Sequence, residues 1–470
     1  ESCALTPMVP LAMFGWLPFS LWLFSRLNPR HAVIAAFALG WMFLPQYSYG
    51  ITGLPDYSKV TAIGIGILLG TFFFNPQVLS RFRLHVLDIP LIVWCLVPFF
   101  TSISNDLGPY DGISGALNRS AMWGLPYFIG RLYFDDRQAL GELAFGLFIA
   151  GLIYMPFCLW EVVMSPRLHK IVYGWHPHDF GQAKRGGGFR PVVFMEHGLM
   201  VGMWTVTAFL SGFQLLRSGW LVANFPKYKT FWMPAVLLLL VTVILNKSTG
   251  AMMLMVLGVL ILYTLQTTRK AFLFFLVLIL PLAYVITRGT GYWDGQNLIN
   301  AVASVASEER VGSLAFRMDN ENVLSVRAKE RPLLGWGAYG RSFVRDEEGK
   351  PTSVPDGLWI LAFGQSGMIG LSALLTLLLL PPLLFIRLYP PRLWGETSIQ
   401  AIAANPLLMV LFTLDSLFNA MFNPLILLLA GGITSLWLNR MVDMVGSNIA
   451  DESSQPQNLD TFPSQLQNCQ

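Results

Sequence analysis

The chain has 470 residues, of which 54% are hydrophobic and only 12% charged, with a mean hydropathy of +0.54. A soluble domain carries roughly 25% charged residues, so this composition excludes an ordinary water-soluble globular protein. The four cysteines (Cys3, Cys95, Cys158, Cys469) have no framework spacing, which excludes a disulfide scaffold and a thiolate metal site; the net charge of +4 gives no sign of nucleic-acid binding.

A helix needs about 20 apolar residues to cross a bilayer. In chain order, candidate runs fall at 7–26, 31–46, 58–75, 87–103, 116–133, 139–161, 193–216, 230–246, 250–267, 271–287, 356–387, 401–420 and 423–440. Backbone polar groups must be satisfied within lipid, so these runs predict helices rather than open strands. The expected fold class is all-α, a polytopic integral membrane protein with about 12–13 transmembrane helices. The 34 Phe and 15 Trp suit lipid contact and interfacial belts. The run at 31–46 is the shortest, and only Lys247-Ser248-Thr249 separates the runs ending at 246 and starting at 250.

Lys and Arg in short connections set orientation. Arg26, Arg30, Arg81, Arg83, Arg131, Arg137, Arg217, Lys227, Lys229, Arg269, Lys270, Arg387, Arg392 and Arg440 all fall in alternate connections, which are therefore assigned to the cytoplasm. The N-terminus is then outside. Residues 1–445 read as one transmembrane domain, and 446–470, rich in Ser, Gln, Asn and Pro, as a disordered cytoplasmic tail.

Two outside loops break the charge pattern. Residues 162–192 hold Arg167, Lys170, Lys184, Arg185 and Arg190 against Asp179 alone, and residues 288–355 hold nine Lys/Arg and nine Asp/Glu. Long loops translocate regardless of charge, so these cations need carry no topological meaning. In the first loop, however, they cluster within Lys184-Arg185-Gly186-Gly187-Gly188-Phe189-Arg190-Pro191. Glycines let backbone amides approach a ligand, and guanidiniums grip phosphate oxygens bidentately, so the stretch reads as an anion site. Upstream, His176-Pro177-His178-Asp179 has a spacing compatible with a metal but no accompanying ligand cluster, and reads as a solvated turn with no metal.

In the second loop, 312–330 is expected to form an amphipathic helix, with Arg317 and Glu321 spaced i, i+4 for a surface ion pair. Gly335, Gly337 and Gly340 spell a literal G-x-G-x-x-G. No strand precedes it and no βαβ unit surrounds it, so it reads as a tight turn and not a dinucleotide site. Asp356 stands at the mouth of the next span, where a carboxylate is often only a cap. Asp415 lies inside an apolar run, where an acid is either functional or paired with an Arg. Glu196 and His197 open the span after the glycine stretch, where both can face one cavity.

The order of several elements along 44–439 resembles the O-antigen ligase and polymerase family of membrane glycosyltransferases. These are the Arg-Gly-Gly element ending in Phe189-Arg190-Pro191, the Arg within Ser313-Leu314-Ala315-Phe316-Arg317, the run Pro332-Leu333-Leu334-Gly335-Trp336-Gly337, and Gly364-Gln365-Ser366-Gly367-Met368-Ile369-Gly370 inside a span. The resemblance implies a glycosyltransferase C-like helical fold with a partly helical periplasmic loop, in a bacterial inner membrane. It implies a polyprenyl-diphosphate-linked glycan donor, a glycan or lipid-glycan acceptor, and neither cofactor nor metal. Other polysaccharide-assembly proteins and membrane lipid are the further partners it suggests. Arg185 or Arg190, with Arg317, correspond to the arginines that bind the donor diphosphate. Family ligases carry His where this chain has Asp356; as a carboxylate, Asp356 is the candidate general base, with Glu196 the second catalytic candidate. This departure favours a polymerase or another assembly transferase over a ligase. A lipid-linked oligosaccharide flippase is the alternative from another class, but the chain shows no internal repeat and its charges concentrate outside the spans.

Overall fold

The computed structural model describes residues 6–185, 187–304 and 307–454, and the side-chain surroundings of these except Glu309 and residues 443–454. Each of the thirteen apolar runs coincides with helix. Among the described residues, ten helices are long and apolar enough to cross a membrane, so the chain is an all-α, multi-pass membrane protein. The remaining three segments explain the difference from the expected 12–13. Pro29–Phe43 and Lys59–Phe74 span 15 and 16 residues. The third segment is composite: Pro109–Arg119, a π-helical turn Ser120–Gly124, then Leu125–Tyr133. Pro126 lacks the N–H that would close the preceding α-turn, which accounts for the wide turn there.

Helix packing relies on small residues. A Cβ on Gly130 would collide with the Leu428 carbonyl, and one on Gly431 with the Tyr127 carbonyl. The Leu125–Tyr133 and Leu425–Ser454 helices therefore meet backbone to backbone, as lipid-embedded helices do when apolar burial alone does not favour association.

The Leu358–Leu388 helix is broken at Gly367, whose φ of 61° and ψ of −164° are not helical. The break is filled by the 332–337 segment. Trp336 N donates to Gly364 O at 2.8 Å, Gly337 N to Gln365 O at 3.0 Å, and Met368 N to Pro332 O at 2.7 Å. Backbone groups freed by the break are thus satisfied inside the protein, the condition for irregular backbone at this depth. Only glycine allows it: at Gly335 a Cβ would sit 2.6 Å from Gly367 N, and at Gly367 it would strike Leu333 O. The G-x-G-x-x-G run is a docking turn, with positive φ at Gly335, Gly337 and Gly340.

The connections gather at two ends. At one end Gln46 N donates to His169 Nε2 (3.3 Å), Tyr173 OH to Phe43 O (2.7 Å), Asn105 Nδ2 to Gly335 O (3.0 Å) and Lys247 Nζ to Arg185 O (3.3 Å). At the other, Arg30 pairs with Asp135 and Asp136, Arg137 bonds Ser398, and Gln214 Nε2 donates to Gln400 O. The connections read as outer and as inner from their cations therefore segregate. The last helix continues through Ser454, past the Gly446 boundary set for the tail, and residues 455–470 lie outside the described residues. Cys95 and Cys158 are buried and free; Cys3 and Cys469 lie outside the described residues.

Candidate functional site

The site is built at the end that carries the two charged loops. Residues 162–192 are fastened to the bundle by Glu161, the 1%-exposed acid near the end of the Arg137–Met164 helix. Its carboxylate accepts from Leu168 N (2.8 Å), Val192 N (2.8 Å) and Val193 N (2.7 Å), so both ends of the loop are tied to one side chain. His169 adds a second tie, with Nε2 accepting from Gln46 N and Nδ1–H donating to Trp175 O at 2.8 Å. Burial pushes its pKa down to about 4, so the ring is neutral and serves as a structural bridge.

The glycine-rich stretch folds as a small hairpin, Lys184–Arg185 paired antiparallel with Gly188–Phe189. Gly187 at its tip has φ of 69°; Gly186 lies outside the described residues. Arg185 is half-buried, whereas Arg190 is buried with its stem packed on Gly198 and its Nη2 3.5 Å from Lys247 O. Lys247, in the tight turn between two helices, reaches back over Gly188 to the Arg185 carbonyl. Three cations from two separate segments therefore meet. The turn that held Lys247 read in sequence only as a short break between spans.

His197 caps the Gly198–Arg217 helix, with Nδ1 accepting from Leu199 N and Nε2–H facing Gln182 Oε1 at 3.1 Å. Its ring lies 4.6 Å from that of His178, so the His-Pro-His-Asp turn borders the site. The His197 pKa is pushed down to about 3, first by burial and then by His178, Arg190, Arg185 and Arg317. That last cation comes from the other loop, 120 or more residues downstream of the hairpin, so one histidine feels all three arginines singled out in the sequence. Among the described residues, no group of three or more His, Cys, Asp and Glu side chains could hold a metal ion.

The second loop carries the Glu308–Lys329 helix, longer at its start than the expected 312–330. The i, i+4 pair of Arg317 with Glu321 does not form. Glu321 is instead 3% exposed and turns inward, accepting from Tyr284 OH (2.7 Å), Trp359 Nε1 (3.0 Å) and Arg288 Nε (3.1 Å). Arg288 also donates to Asn322 Oδ1 (2.8 Å) and Met318 O (2.9 Å). This buried network locks the loop helix onto the Phe272–Thr290 and Leu358–Leu388 helices. Sequence spacing missed it because Arg288 lies 33 residues upstream of Glu321.

With Glu321 engaged inside, Arg317 is free to face the site. Its Nε lies 3.6 Å from Asp356 Oδ2, with both side chains about one-third exposed (29% and 33%). Asp356 is not an N-terminal side-chain cap, since Gly357 holds that position without a side-chain bond. Burial raises the Asp356 pKa and Arg317 opposes it; burial wins, leaving a carboxylate more basic than an ordinary Asp. Asp415 accepts from Asn419 Nδ2 at 2.8 Å and lies within the electrostatic reach of Arg317. Glu196 parts from its neighbour His197. It is exposed at a separate pocket of about 250 Å³, lined also by Trp41, Lys59 and Phe422, and neither Arg317 nor Asp356 lines that pocket.

Residues 234–375 match the family described as O-antigen ligase. Over these residues the chain is similar to that family. No curated protein matches the chain. The ligase-domain match includes Lys247, Arg288, Arg317, Glu321, Asp356 and the broken helix at Gly367, while the hairpin with Arg185 and Arg190 lies upstream of it. The cationic face is thus shared between the matched residues and the hairpin upstream of them.

Proposed function

We propose that this chain is a membrane glycosyltransferase of surface-polysaccharide assembly. It transfers or polymerises glycan from a polyprenyl diphosphate carrier at the periplasmic face of a bacterial inner membrane. The observation that carries this reading is the meeting of Arg185, Arg190 and Lys247 at the hairpin, on the same end of the bundle as the Arg317–Asp356 pair, in a chain whose residues 234–375 match the O-antigen ligase family. A diphosphate is a delocalised anion that becomes the leaving group, and fixed guanidiniums stabilise its departing charge without reorganisation.

In the reaction, the acceptor hydroxyl oxygen attacks the anomeric carbon as the bond to the diphosphate breaks. The hydroxyl proton passes to Asp356, and the diphosphate leaves on its polyprenyl chain. The donor competes with Asp356 for Arg317, so donor binding also loosens the Asp356 carboxylate for its work as base. A carboxylate at this position, where family ligases carry His, favours chain polymerisation or another assembly transfer over ligation. Glu196 is left to the neighbouring Lys59 pocket, an additional place for acceptor sugar.

The test is reconstitution in proteoliposomes with a polyprenyl-diphosphate-linked oligosaccharide. Arg185→Ala and Arg317→Ala are each expected to abolish product, and Arg317→Lys to recover little, because a point charge cannot reproduce a bidentate fork. Arg190→Ala is expected to do the same, with correct folding checked because Arg190 is buried. Normal product from Arg185→Ala and Arg317→Ala together would refute the diphosphate site.

A further inference from the structure

A cavity of about 1000 Å³ opens at the end of the bundle opposite the cationic hairpin. Its walls are the turn before Pro29–Phe43, the connection after Lys59–Phe74, the end of Leu125–Tyr133 and the last helix near Met441. Arg30, Arg81, Arg83 and Arg131 line it, with Asp135 the acid on the wall. Two of these cations are committed: Arg30 to Asp135 and Asp136, and Arg131 to the buried Asp88 at 2.9 Å. Arg81 and Arg83 are exposed, and among the described residues neither guanidinium has a hydrogen bond or ion pair. Arg131 Nη2 donates to the Arg83 carbonyl at 3.0 Å, which fixes the Arg83 backbone at the wall. The Arg131 Nε is buried and has no partner among the described residues.

The chain beside the cavity has the opposite character. Leu84, on the wall, is 70% exposed; Phe72 and Phe73, just before the wall residue Asn75 in sequence, are 62% exposed, and Val86, just after the wall residue His85, is 69% exposed. Large apolar side chains exposed together mark a lipid-facing surface in a membrane protein. Uncommitted guanidiniums beside such a surface suit the level where headgroups meet hydrocarbon.

We propose that this cavity binds the phosphodiester headgroup of an anionic phospholipid. Arg81 and Arg83 take the phosphate oxygens and the acyl chains lie along Phe72 and Phe73. Guanidiniums bind phosphate in bidentate geometry, and basic pockets between membrane helices select anionic headgroups in the same way. The site is independent of the glycan chemistry at the other end.

The experiment is native mass spectrometry of the purified chain exchanged from micelles containing phosphatidylglycerol or phosphatidylcholine. The expected result is selective retention of phosphatidylglycerol, weakened about 25-fold in Arg81→Ala/Arg83→Ala, two cations at roughly fivefold each. Arg392→Ala, an exposed cation outside the cavity, is expected to leave retention unchanged. Retention is also expected to fall with salt. Equal retention of phosphatidylcholine, or full retention by the double variant, would overturn the proposal. Displacement by an equal concentration of glycerol 3-phosphate would overturn it too, since the ligand would then be a free phosphate and not a lipid.

Discussion

Removing the Glu321 carboxylate is expected to unfasten the loop helix that carries Arg317. Glu321→Ala deletes an acceptor for Tyr284, Trp359 and Arg288, all at 3.1 Å or less, in a site where Arg288 is 1% and Glu321 3% exposed by side chain. Three net hydrogen bonds at roughly 1 kcal/mol each give about 3 kcal/mol. Orphaning one member of a buried ion pair gives about 3–5 kcal/mol. The two routes agree near the lower figure, because Arg288 keeps its bonds to Asn322, Met318 and Trp293 and loses only its counter-charge. Amide hydrogen exchange over residues 308–329 reads this directly, as a fall of about 3 kcal/mol in the opening free energy of that helix. Turnover is expected to fall with it, since Arg317 lies one turn from Glu321. Replacing both partners, Arg288→Met with Glu321→Met, is expected to recover only the part that comes from the orphaned Arg288 charge, because Tyr284 and Trp359 still lack their acceptor. A single-variant effect under about 1 kcal/mol, or a double variant no better than Glu321→Ala, would refute this account.

Other consequences are measurable. Asp356→Asn preserves shape and is expected to lower turnover by roughly 100-fold or more while donor binding persists; near-normal turnover would remove Asp356 from the chemistry. Its raised pKa gives a sign: the ionised form is the active one, so activity is expected to be lost on acidification at a pH above the ordinary Asp value of about 3.9, and an acid limb at or below that value speaks against a buried base. Gly367→Ala forces a side chain onto a left-handed backbone and into Leu333 O, so the 332–337 segment is expected to become protease-sensitive with loss of activity; an unchanged digest would mean that the docking is not structural. In a cysteine-free background, Gly187→Cys and Glu347→Cys are expected to react with an impermeant maleimide in intact cells and Arg217→Cys and Arg392→Cys not to, and the reverse pattern would invert the orientation.

Much of the fold was legible in the sequence because lipid imposes a strict rule: about 20 apolar residues, helical throughout. That rule placed thirteen apolar runs, each of which falls on helix, and the alternating cationic connections. Ten of these segments are helices of full crossing length, while Pro126 and a π-turn interrupt one segment and two others are short. The site was legible only as chemistry-bearing residues. Glycines beside arginines identified Arg185 and Arg190, and the resemblance added Arg317 and Asp356.

Only the tertiary structure decided which of these residues meet. Arg317 and Glu321 have ideal helical spacing, yet a pair at the surface gains a few tenths of a kcal/mol, whereas Glu321 turned inward neutralises Arg288 and accepts three buried donors. The stronger interaction takes the carboxylate and releases Arg317 towards Asp356. Glu196 and His197 are adjacent in sequence but part at the start of a helix, where one residue caps the backbone amides and the next faces away. Lys247 and Glu161 join the site through backbone carbonyls and amides, which no side-chain pattern encodes. Local sequence thus specified the helices, whose hydrogen bonds are internal to each segment. Long-range satisfaction of buried charge specified the site.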